Sequence, residues 1–185
     1  MADPPNILWI CTDQQRWDTI HALGNPHIRT PNLDRLVAEG VAFTRAYAQS
    51  PICTPSRAAF LTGCYPSTVR NCSNGNETWS EAAPLVTQIL ADAGYDCGLA
   101  GKLHLAGACE RIEPRPRADG YRVFHWSHHP KNDWPEGHAY ADWLREQGFD
   151  PDRVGKAPET VPPELHQSSW CADRAIAFLN EDRRG

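Results

Sequence analysis

The sequence predicts a layered α/β fold built on a mostly parallel sheet. Three observations carry this. "NILWICTD" (6–13) is a short apolar run ending in polar residues, the pattern of a strand buried on both faces. "RTPNLDRLVAEG" (29–40) and "TPSRAAFLTG" (54–63) carry helix punctuation, with threonine and proline at the start and glycine at the end. "YDCGLAGK" (95–102) returns to a strand after a further helical stretch, so strands and helices alternate.

The polar end of the first strand is Thr12-Asp13-Gln14-Gln15. In an open α/β sheet that carboxyl edge is where ligands bind. In the first helix Thr30 is the expected N-cap, Pro31 the first helical residue and Gly40 the stop, with Leu33, Leu36 and Val37 on one face. "VAFTRAYA" (41–48) predicts a strand. In the second helix Thr54 is the expected cap, Pro55 follows it and Gly63 ends the run. "APLVTQILADAG" (83–94) spaces Leu85, Val86, Ile89, Leu90 and Ala93 at helical period.

Residues 105–135 lose this patterning and read as a loop or insertion rich in Pro, Trp and His. His125, His128 and His129 lie within it. Their loose spacing argues against a metal cluster, and a substrate-contacting loop is expected because the stretch follows the strand that runs into Lys102 and His104. Helices are expected over 138–148 and 168–185, separated by a Pro-rich linker at 151–163. No strand follows the last helix, which in a βαβ architecture reads as truncation at the C-terminal side.

The 185 residues are 41% hydrophobic and 22% charged, which allows one ordinary core. A net charge of −5 argues against a nucleic-acid or acidic-membrane partner. The run Ile7–Cys11 is too short for a membrane span or a leader core, and no basic segment precedes it; a cytoplasmic location is expected. Seven cysteines, an odd number without a C-x-x-C pair, predict mostly reduced thiols and no structural zinc. Asn71-Cys72-Ser73 and Asn76-Glu77-Thr78 fit the glycosylation pattern and are read as chance matches.

"SPICTPSRAAFLTG" (50–63) sets one thiol, Cys53, at the mouth of a helix with Arg57 one turn in. By itself this leaves a nucleophile, a metal ligand, a redox thiol or core filling open. A helix N-terminus presents free N–H groups and partial positive charge, which suit an anion and lower a nearby thiol's pKa. Arginine can grip a tetrahedral oxyanion through two donors. The thiol-phosphatase pattern Cys-x5-Arg does not fit Cys53. Cys64 to Arg70 has that spacing but lacks glycines, and Pro66 removes a donor.

"PICTPSRAAFLTG" (51–63) is similar to the sulfatase signature built on Cys-x-Pro-Ser-Arg. "GYDCGLAGKLH" (94–104) resembles that family's second signature, with Cys97 and Leu103 as departures at positions where no chemistry is expected. "NILWICTDQQ" (6–15) looks like its metal-binding strand and "TPNLDRLVAEGVAFTRAYA" (30–48) like the helix and strand between. The resemblance thus runs over residues 6–104 in order.

It implies an alkaline-phosphatase-like α/β/α sandwich and a change of chemistry at residue 53. Cys53 would be oxidised to formylglycine by a maturation enzyme and hydrated to a gem-diol. One hydroxyl attacks sulfur and displaces the alcohol; the other helps expel sulfate and restores the aldehyde.

By position, Asp13 corresponds to a ligand of the divalent cation, usually Ca2+, with Mg2+ or Mn2+ as alternatives. Gln14 stands where a second Asp is common and keeps an amide oxygen; modified residue 53 is itself a ligand. Arg57 would stabilise diol and sulfate, Lys102 would hold the sulfate, and His104 would bond the formylglycine hydroxyl and assist release. The expected activity is hydrolysis of a small-molecule sulfate ester. The alternatives are a phosphonate or phosphate monoester hydrolase of the same superfamily, or an inactive incomplete fragment. The family's remaining metal ligands, a further lysine and a further histidine are expected beyond residue 185.

Overall fold

A computed structural model describes residues 4–74, 79–106, 115–128 and 137–181. The chain forms two compact units, Met1–Tyr47 and Ala48–Gly185.

The first unit contains a short 3-10 turn, His21–Leu23, and helix α1, Pro31–Glu39. Proline opens α1 because its missing N–H costs nothing in the first turn. Thr30 is the N-cap, as expected, but its side chain makes no capping bond. Its Oγ1 donates to the Asp34 carboxylate at 2.9 Å and accepts the His21 N–H at 2.9 Å. Asp34 also accepts the Ala22 N–H at 2.9 Å, so α1 and the 3-10 turn are joined by polar side chains. Leu33, Leu36 and Val37 line an apolar cleft with Ile20, Leu23 and Phe43.

The strands expected over 6–13 and 41–48 are not formed. Ile10 is 73% exposed and Phe43 80% exposed. An apolar run becomes a strand only when a neighbour takes its N–H and C=O groups. Among the described residues only two strands find such a partner, both in the second unit.

The second unit comprises α2 (Cys53–Thr62), α3 (Val86–Asp92), β1 (Cys97–Gly101), β2 (Tyr121–Trp126), α4 (Ala139–Glu146), α5 (Asp152–Lys156) and α6 (Gln167–Leu179). β1 and β2 are parallel, with Leu99 opposite Phe124 and Gly101 opposite Trp126. The Ser127 N–H continues the ladder to the Gly101 carbonyl at 2.9 Å. The fold class is therefore α/β with a parallel sheet, of two strands among the described residues.

β2 lies within 105–135, where the sequence predicts a loop. Its Tyr, Val, Phe and Trp are strand formers, but it is buried at irregular intervals and flanked by proline and histidine, so no period of two stands out. α5 lies in the expected linker, a single turn of helix seated by buried Val154.

Two apolar clusters support the unit. Ala58, Leu61, Val69, Leu85, Leu103 and Trp126 join α2, α3 and the strand ends. Tyr140, Leu144, Val154, Val161 and Trp170 join α4, α5 and α6. α6 lies close on β1: a Cβ at Gly98 would come within 2.9 Å of the Phe178 ring.

Gly120, just before β2, has φ +77°, and a Cβ there would meet the Thr87 carbonyl oxygen at 2.3 Å. Gly120→Ala therefore meets both a steric clash with backbone and a disfavoured φ. It is expected to cost about 3 kcal/mol in urea unfolding. No helix among the described residues is long and apolar enough to cross a membrane.

Candidate active site

α2 begins at Cys53 itself. Ile52 is the N-cap, in extended conformation and with no capping side chain. Thr54, expected to cap, lies inside the first turn and is fully buried. The cap comes from a distant residue: the Asn74 Oδ1 accepts the Thr54 N–H at 2.9 Å. This satisfies one of the four N–H groups that a helix start leaves open. Asn74→Ala is expected to lower stability by about 1 kcal/mol, read by urea unfolding. Cys53 is half-buried at this positive helix end. At the other end Gly63, with φ 68°, closes α2 through its N–H to the Ala59 carbonyl, as the sequence predicts.

Arg57 is buried, and its Nη1 donates to the Lys102 carbonyl at 2.6 Å. This bond joins α2 to the segment leaving β1, so the two signature stretches meet. On the far side of that segment the buried Asn71 donates its Nδ2 to the Leu105 carbonyl at 2.7 Å. Between the two clamps stands His104, with φ 54°. A left-handed backbone costs a non-glycine residue about 1–3 kcal/mol and persists only where its surroundings hold it. Arg57 and Asn71 do so here, gripping the carbonyls on either side.

Asn71 also settles its own sequon. The Nδ2 that glycosylation would modify is buried and donates to Leu105. Asn76 lies outside the described residues.

His104 packs edge-on against His128, with ring centroids 4.5 Å apart and planes at 82°. His125 does not join them. β2 alternates, and the His125 ring faces Trp170 instead at 6.3 Å. Burial, followed by the charge of Arg174, lowers the His125 pKa and favours its neutral form. His129 lies outside the described residues. Among the described residues no group of three His, Cys, Asp or Glu side chains could hold a metal.

Asp13 and Gln14 occupy an exposed bend of the first unit, and Gln14 has a left-handed backbone with φ 58°. They are adjacent carboxylate and amide oxygens, donor types that suit a hard cation, though two side chains fall well short of its usual six to eight oxygens. Six described cysteines, Cys53 included, are free thiols. Cys109 lies outside the described residues.

Of the residues the sequence singles out, the structure brings Arg57 to the Lys102–His104 segment. The sequence does not single out the bonds made by Asn71 and Asn74, nor the contact between His104 and His128. The only signal for Asn71 was a sequon, and a cap from Asn74 cannot be read across a gap of 20 residues.

A family model described as Sulfatase matches residues 5–129. The N-acetylgalactosamine-6-sulfatase of Homo sapiens is 32% identical over 180 residues, which is 88% of this chain and 32% of that protein. The arylsulfatase A of Bos taurus is 41% identical over 111 residues, covering 56% and 22%. The chain thus spans about a third or less of the curated relatives it matches. The crystal structure of the phosphonate monoester hydrolase of Agrobacterium radiobacter superposes with a TM-score of 0.66 at 25% identity. It covers 93% of this chain and 37% of that one, and gives the fold its alkaline-phosphatase-like type.

Proposed function

Because the chain belongs to the sulfatase family, we propose that it supplies the nucleophile-bearing part of an enzyme that hydrolyses a small-molecule sulfate ester. Residue 53, matured from cysteine to formylglycine by a dedicated enzyme, is the nucleophile. The observation that carries this reading is the Arg57–Lys102 bond. It joins α2, which residue 53 begins, to the segment that carries Lys102 and His104.

In this reading the α2 N–H groups and Arg57 stabilise charge on the sulfate, and Lys102 holds it. His104 takes the proton from the diol hydroxyl as sulfate leaves. Asp13 and Gln14 contribute oxygen ligands to a divalent cation, calcium in the first instance. When bound, that ion polarises the sulfate oxygens. Two side chains supply few of the six to eight oxygens that calcium takes, so residues 1–185 alone are expected to bind calcium weakly and to turn over little sulfate ester.

The structural likeness to a phosphonate monoester hydrolase favours a second reading, in which the same groups act on a phosphonate or phosphate monoester. Turnover of matched aryl sulfate, phosphonate and phosphate substrates decides between them. A preference for the phosphonate by orders of magnitude ends the sulfatase reading. Intact mass of the peptide holding residue 53 tests maturation. Formylglycine is about 18 Da lighter than cysteine, oxygen having replaced sulfur and two hydrogens having left.

A further inference from the structure

We propose that His128 is a positioning residue that holds the His104 imidazole in its working orientation. The inference rests on the reading of His104 as the group that assists sulfate release. It is carried by the way the fold fixes His128. β1 and β2 run parallel, so both chains leave the sheet at one edge, three residues beyond Gly101 and two beyond Trp126. There the rings of His104 and His128 meet edge to face at 4.5 Å, and each residue is only 7% exposed. An edge-to-face contact sets the positive rim of one ring on the negative face of the other, so it fixes ring angle as well as distance.

His128 is held from three elements. Its N–H donates to the buried His138 Nε2 at 2.9 Å, at the start of α4. Its carbonyl accepts from the Gln167 side chain at the start of α6, and the same amide also donates to the Ser127 hydroxyl at 2.7 Å. Ser127 in turn is tied to β1 through the Gly101 carbonyl. The His104 backbone is clamped by Arg57 and Asn71, but these bonds reach only the carbonyls of Lys102 and Leu105. Those bonds act on the backbone, whereas the His128 ring packs on the imidazole itself.

The test uses His128→Ala and His128→Phe. In the 15N-histidine-labelled chain, His128→Ala is expected to move the ring nitrogen resonances of His104 towards those of free, averaging imidazole. His128→Phe, which keeps an aromatic ring there, is expected to leave them near the wild-type positions. In the full-length matured enzyme His128→Ala is expected to lower kcat by about 10- to 100-fold with KM little changed. His128→Phe recovers most of that loss. His104 resonances unchanged in His128→Ala overturn the proposal, as does a His128→Phe as damaging as His128→Ala. Full turnover by His104→Ala instead overturns the role of His104, and the resonance shift still reports on the contact.

Discussion

Cys53→Ala is expected to lower sulfate-ester turnover by about three orders of magnitude or more in the full-length matured enzyme, with the unfolding midpoint nearly unchanged. The two effects separate because of where the residue sits. Cys53 is the first residue of α2, half-buried, and belongs to neither apolar cluster. Its backbone N–H persists in alanine, and the cap from Asn74 acts on Thr54, so the helix start survives. What is lost is the only group at that helix mouth that can become a diol.

Cys53→Ser sharpens the expectation. Serine has one hydroxyl: it can attack sulfur and release the alcohol, but it has no second hydroxyl from which to expel sulfate. One equivalent of alcohol followed by arrest is expected, with a protein adduct about 80 Da heavier, the mass of the SO3 gained when the serine hydroxyl becomes a sulfate ester. Steady turnover by the serine variant would rule out the diol route.

The site was legible where chemistry and punctuation coincide in a short stretch. Pro31 at the start of α1 and Gly63 at the end of α2 act through their own backbone, so their positions follow from residue type. β1 was legible because a small apolar run follows a helix stop. The capping bonds were not. Thr30 and Thr54 are good capping residues in isolation, but Thr30 is drawn to Asp34 and the buried Thr54 lies within the turn.

The runs at 6–13 and 41–48 show the same limit for strands. Their apolar character marks them as segments that bury well, and pairing is a property of the neighbour. The Asn71 bond and the His128 contact escaped for a related reason. Each acts on a segment distant in sequence, Asn71 on Leu105 and His128 on His104, and neither leaves a local period or motif.

Arg57→Ala is expected to damage activity and stability together, and in this it should differ from Lys102→Met. The Arg57 guanidinium is buried, and one N–H holds the Lys102 carbonyl at 2.6 Å. In the proposed reading the same planar fork also stabilises the substrate's oxyanion. Removing it takes away an oxyanion donor, worth about 10²–10³ in kcat. It also releases the Lys102 carbonyl in a part-buried setting, about 1–3 kcal/mol of stability. With one clamp gone, the left-handed turn at His104 is held by Asn71 alone of the two, and kcat should fall further than a single lost donor explains.

Arg57→Lys keeps the charge but, as a point donor on a flexible stem, cannot hold the carbonyl and grip an oxyanion at once. It is expected to recover stability or turnover in part, not both. Lys102→Met leaves the backbone carbonyl and its bond to Arg57 in place, so it should lose turnover with little change in unfolding. The measurement is kcat and urea unfolding on the three variants. Equal stability of Arg57→Ala and wild type would mean that the bond to Lys102 contributes nothing to the fold. Arg57 would then be a substrate residue only.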